Sequence, residues 1–209
     1  MGNQSRVSGT LTLEEFLATP DASWREGKRY LEYIDGRIEA KVSPQGKHSL
    51  LTVRIADRVN LFAEPARLGL ALVELRCTFA GRSIIPDVAF FSEDHIEYDA
   101  DGEIANAFHR PPDLHVAIIS PEQSVRNATY KLIHSTAHGC QLGLLVHPQR
   151  KTIDVFGPGM PPERLLSGGV IFGEPILPGF RLPVTEVFGW LRPRRPSISP
   201  SSDPGAQPS

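Results

Sequence analysis

Cysteine is scarce in this chain. Cys77 and Cys140 are its only two, and neither belongs to a CxxC pair or stands beside a second sulfur ligand. That excludes a disulfide framework or a thiolate zinc site, and two reduced, buried thiols are expected. Long apolar runs are also missing: nothing approaches the ~18 residues of a membrane span. The stretch Met1–Thr10 is polar and lacks the apolar core of a secretory signal. A cytoplasmic protein is the expectation. Nor is there an excess of basic charge. Formal net charge is −2, and the tail 192–209, with three arginines and one aspartate, contributes +2, leaving −4 for the rest. This argues against strong non-specific binding to nucleic acid through a basic face, while a local basic groove remains compatible with it.

What is present suits one globular domain. The 209 residues are 40% hydrophobic and 22% charged, enough to bury a core. Residues 1–10 read as a flexible N-terminus and 11–191 as the domain. Residues 192–209 are dominated by Pro and Ser, cannot build a core and read as a disordered tail that folding does not need.

Local signals define the elements. Thr12 with Glu15 makes a capping box before Leu13, Phe16 and Leu17, predicting a short helix stopped by Pro20. Asp35-Gly36 lies between the strand-like runs Tyr30–Ile34 and Arg37–Val42, a hairpin signature. Leu51, Ile55, Val59 and Phe62 recur at helical spacing. Alternation from Ala71 through Val73, Leu75, Cys77 and Phe79 predicts one strand with these residues on one face. The run Ile84–Phe91 (IIPDVAFF) is apolar apart from Pro86 and Asp87. Ser92–Pro112 reads as a surface loop and Leu114–Ile119 as a buried strand. A helix is expected from about Ser124 to His138, followed by the core strand Leu142–Val146 and by Thr152–Phe156. Strand, helix, strand in that order implies a crossover unit and a mixed sheet. Leu165-Leu166 and Val170–Phe172 are expected to form an edge hairpin, and Val184–Leu191 a final helix.

Four residues could carry chemistry. Asp87 is a carboxylate in an apolar strand, costly to bury unless paired or metal-bound, and otherwise a solvated residue at a bulge. Lys131 lies on the helix after Leu114–Ile119, where an exposed lysine is the ordinary alternative. Glu32 lies on the first hairpin strand, where it could instead face solvent and pair across to Arg37 or Lys41. His48 sits at a helix start, where a surface histidine is equally at home.

Ordered blocks connect them. RYLEYIDGRIEA (29–40), SPQGKH (43–48), IIPDVAFF (84–91), PPDLHVAIISPEQS (111–124), Lys131, GCQLGLLVHPQRKTIDVF (139–156) and LPGFRLPVTEVF (177–188) follow one another. In that order the chain resembles the Uma-type restriction endonuclease family of the PD-(D/E)XK nuclease superfamily, over about residues 11–191. The resemblance implies an α/β fold, a restriction-endonuclease-like mixed β-sheet flanked by helices. It also implies a Mg²⁺ (or Mn²⁺) site, DNA as partner, no membrane, and a homodimer as one option. Asp87 would be the aspartate of the PD motif, Glu32 the acid before the turn, Lys131 a lysine moved onto the following helix, and His48 the family's histidine at the helix start.

The chain departs from the pattern where the chemistry would sit. Family members carry a glutamate three residues before the serine of Ser-Pro; here that position is Ala117. Leu142-Gly143-Leu144 replaces Glu-Tyr-Trp, and His147 replaces an aspartate. Mg²⁺ requires oxygen ligands, often one or two carboxylates, and activates water while neutralising phosphate charge; a lysine adds charge stabilisation. Asp87 with a more remote Glu32 would hold the ion weakly. Glu122 could supply a migrated carboxylate, but an acid near a helix start is favoured there in any case. Two functions therefore stand: a Mg²⁺-dependent DNA endonuclease with an impaired site, or an inactive nuclease-fold module binding nucleic acid or protein. In the impaired case, Asp87 and Lys131 are expected in one pocket, paired with each other.

Overall fold

The structure, a computed structural model, describes residues 11–20, 31–41, 45–121 and 123–192. The N-terminus 1–10, nearly all of the expected tail, and Glu122 lie outside the described residues.

The first helix, α1 (Leu13–Ala18), has the anticipated capping box, with Glu15 N–H donating to Thr12 Oγ1 and Thr12 N–H to Glu15 Oε2. Its buried Phe16 packs on Leu31 and Tyr33. Those two residues belong to β1 (Leu31–Ile34), which pairs antiparallel with β2 (Arg37–Ala40). The turn between them places Asp35 at φ 49° and Gly36 at φ 80°, the left-handed pair that Asp-Gly tolerates. Because side chains alternate along β1, Glu32 faces away from α1.

The next helix is α2 (Gly46–Ala63), burying Leu51, Ile55, Ala56, Val59 and Ala63. Beyond it the expected single strand 71–79 is two: β3 (Gly69–Val73) and β4 (Arg76–Phe79). Glu74, at φ 53°, breaks the run. The return is broken in the same place, into β5 (Arg82–Ile84) and β6 (Val88–Ser92), with Pro86-Asp87 at the joint. The long hairpin thus passes from one sheet to another. β4 and β5 join β1 and β2, whereas β3 and β6 join the main sheet. Ala71 accordingly belongs to the core under α2, while Cys77 and Phe79 belong to the layer between sheets.

The segment 92–112, expected as a loop, contributes the short strand β7 (Ala107–Phe108) beside β4. It is anchored because Phe108, fully buried, packs on Phe91 with ring centroids 4.5 Å apart. Then β8 (Leu114–Ile118), α3 (Val125–Ala137) and β9 (Leu142–His147) make the crossover unit, with β8 and β9 parallel. Ser124 caps α3 through Asn127 N–H. β10 (Thr152–Phe156) and β11 (Glu163–Leu165) extend the sheet. The expected edge hairpin is not formed. Leu165 pairs with β10, and β12 (Val170–Phe172) pairs instead with β13 (Arg181–Pro183), ahead of α4 (Val184–Gly189).

The main sheet has the order β11-β10-β9-β8-β6-β3, and the second β2-β1-β5-β4-β7. On β8, Val116 and Ile118 join the core with α2 and α4, whereas Ala117 and Ile119 pack with Ala128 and Leu132 of α3. Helices therefore flank both faces of the main sheet.

Candidate active site

Strands of both sheets and two helices meet at the hairpin joint: β1, the ends of β2 and β5, the start of β6, the middle of β8, the first turn of α2 and the inner face of α3. They bring together two buried carboxylates, Glu32 and Asp87, each about 3% exposed.

Asp87 stands at the bend because Pro86 interrupts the ladder there. The antiparallel register pairs Val88 with Val116, so the next step places Asp87 across from Ala117. Its carboxylate is fully engaged. Oδ2 accepts the Ile118 N–H at 2.6 Å. Oδ1 lies 2.9 Å from Lys41 Nζ and 3.1 Å from His48 Nε2. Burial alone would raise this carboxyl, but the hydrogen bond from His48 and the charge of Lys41 outweigh it and hold it well below the usual carboxylate range.

Lys41 is itself buried, with 9% of its side chain exposed, and lies 3.6 Å from Glu74 Oε1 as well. Its Nζ, 2.9 Å from Asp87 Oδ1, forms an ion pair with that carboxylate. His48 is buried in the first turn of α2, near Thr52.

Glu32 is equally engaged. Oε1 accepts the Ile85 N–H at 2.7 Å and lies 3.1 Å from Lys131 Nζ, while Oε2 lies 2.8 Å from the same Nζ. Lys131 is 8% exposed, so it is neither the ordinary surface lysine nor the partner expected for Asp87. Glu32 pairs with neither Arg37 nor Lys41; Lys41 turns to Asp87 instead. Reach explains the exchange. Lys131 comes down from α3 onto the β1–β5 side, and Lys41 ends β2 on the β6 side.

His115, one strand position from Val116 and 1% exposed, accompanies the two pairs. Its Nδ1 is 2.8 Å from Ser135 Oγ. Burial, then the charge of Lys131, lowers it to about 3, so it is neutral. Lys41, His115 and Ser135 were not singled out from sequence for this site. A lysine closing an otherwise hairpin-like strand and a histidine within the apolar run LHVAII were the available signals.

Beside Lys131 a cavity of about 530 Å³ opens, lined by Arg37, Arg82, Arg126 and Tyr130 together with Asp35 and Glu39. Arg82 holds Asp35 bidentately at 2.8 and 2.7 Å. The Arg126 guanidinium lies 5.3 Å from the centroid of the Tyr130 ring, and that ring is half-exposed.

The residues do not fit a divalent ion. Ala117 offers no oxygen. Both buried carboxylates are saturated by internal cations and backbone N–H groups, each with its own lysine. Among the described residues no three of His, Cys, Asp and Glu are grouped to hold a metal.

Comparison with known proteins agrees with the scaffold. Residues 13–185 match the sequence model of the Uma2 family, described as "Putative restriction endonuclease". The chain belongs to this family. No curated protein matches it. Among solved structures it is similar to a "putative nuclease belonging to DUF820 from Anabaena variabilis ATCC 29413", with 34% identity, a TM-score of 0.79, and coverage of 86% of this chain and 98% of that one. Membership in the Uma2 family accounts for the mixed sheets flanked by helices. No helix among the described residues is long and apolar enough to cross a membrane.

Proposed function

We propose that this protein engages DNA through the nuclease scaffold and that Mg²⁺-dependent phosphodiester hydrolysis at its centre is strongly impaired. The observation that carries the reading is Ala117. It stands across from Asp87, at the position where the family pattern has glutamate, so the pair of close carboxylates that would grip Mg²⁺ is reduced to one. Asp87 and Glu32 are the remaining acids, Lys131 the group that would stabilise phosphate charge, and His48 the residue that orients Asp87.

The cavity beside Lys131 supports DNA as the partner. Arg37 and Arg126 suit phosphate oxygens, and half-exposed Tyr130 offers a face for stacking a base. This also favours the second reading, a nucleic-acid-binding module without turnover, which differs from the first only in residual rate. Plasmid nicking in Mg²⁺ and in Mn²⁺, alongside anisotropy with labelled DNA, separates them. Binding with cleavage at or near background is expected. Robust metal-dependent nicking by the native protein contradicts the reading, and its loss in Glu122→Ala would assign the missing acid to Glu122.

A further inference from the structure

We infer that Lys41 is the centre's own cation: its ammonium takes the position on Asp87 that a divalent metal ion would need, so the centre is complete and charge-balanced without one. The inference deepens the proposed function at the same site and rests on it. Three observations carry it.

The first is position. Lys41 Nζ lies 2.9 Å from Asp87 Oδ1 and 3.6 Å from Glu74 Oε1, between two carboxylates as a metal ion would be. The contact with Asp87 is an ion pair between buried groups. A metal ligated by Oδ1 would fall against the ammonium, since Oδ2 is already held by the Ile118 N–H.

The second is charge. Lys41 and Lys131 neutralise the buried Asp87 and Glu32, with the more exposed Glu74 at the edge of the cluster. Adding a divalent ion would leave uncompensated positive charge among the buried groups, where desolvation makes it costly. An ammonium supplies part of the same neutralisation from within the chain, and it cannot dissociate.

The third is the wall opposite. Ala117 is 4% exposed and packs with Ala128, Leu132, Leu145 and Phe156. The side from which a second carboxylate would reach the ion offers only a methyl among apolar neighbours. The two features, a lysine on Asp87 and alanine at 117, act in one direction. Restoring the glutamate alone should therefore not restore the metal.

The test is Mn²⁺ titration by calorimetry of the native chain, Lys41→Met, Ala117→Glu and the double variant, with Mn²⁺-dependent thermal melts of each. The native chain and Ala117→Glu should bind Mn²⁺ weakly, with unmoved melting temperatures. The double variant should bind at least about tenfold tighter and melt higher with Mn²⁺. Native binding as tight as the double variant's, or a full gain from Ala117→Glu alone, overturns the inference. Should the double variant not fold, a stability cycle over Lys41→Met and Asp87→Asn decides: strong coupling supports the inference and additive losses overturn it. Nicking by the native chain is scored separately. Cleavage without tight Mn²⁺ binding would refute impaired hydrolysis while leaving the assignment of Lys41 standing.

Discussion

At the residue scale, four buried charges are held in two pairs, Lys41 with Asp87 and Lys131 with Glu32. Such pairs add little net stability over an apolar core, but removing one member strands the other. Asp87→Asn should therefore cost about 3 kcal/mol in urea unfolding, and Lys131→Met a similar amount; losses within experimental error would mean that water reaches these groups. His115 gives the centre a pH signature. Its folded value is depressed to about 3 by burial first and Lys131 next, with Lys41 and His134 opposing and Asp87 favouring its charge. The unfolded chain therefore binds the proton first. Stability is full above about pH 6.5 and falls as pH drops from there toward 3, by at most about 1.4 kcal/mol per pH unit for one histidine. His134, lowered to about 4 by burial and then Arg82, adds a loss of the same sign. Asp87, depressed, contributes only at lower pH, below about 4. Melts at pH 7 and pH 5 should show this loss, and His115→Asn should flatten it; an unchanged slope would remove His115 as its source.

At the element scale, the broken hairpin is what makes the site. β3–β4 and β5–β6 each change sheets, at Glu74 and at Pro86-Asp87, and the bend delivers Asp87 toward β8 and the first turn of α2. Gly143 matters to the same packing. A Cβ there would meet Phe156 Cβ at 3.1 Å and Leu132 Cδ2 at 3.2 Å, so α3 lies close on β9 only because the position is bare. Gly143→Ala should cost about 1–3 kcal/mol by overpacking, read from the urea midpoint; a neutral effect would show that α3 can shift. Much of this scale was legible in the sequence. Thr12 and Glu15 fixed the cap of α1, Asp35-Gly36 the turn, and Leu114–Ile119 through Leu142–Val146 the crossover unit, because each signal is local. The sheet change was not legible, since period-two alternation continues through Glu74 and only a left-handed residue there interrupts it. The pairing of β12 with β13 was hidden for a related reason: its partners are separated by a loop rather than a tight turn.

At the scale of the whole molecule, the chain keeps the architecture of the Uma2 family, and its two buried carboxylates are each held by a lysine. The sequence announced half of this, the architecture, in its ordered blocks. The other half needed the fold, because Glu32 and Lys131 are 99 residues apart, and nothing in either neighbourhood says which lysine meets which acid. Glu122, the acid that could have migrated, lies outside the described residues and is tested directly by the nicking assay. The most direct measurement of the central claim is a crystal structure of the native protein soaked in Mn²⁺, with anomalous scattering recorded to locate the ion. The account predicts no anomalous peak at Asp87 and Lys41 Nζ still against its carboxylate. A Mn²⁺ peak ligated by Asp87 and a second carboxylate, with Lys41 displaced, would contradict it.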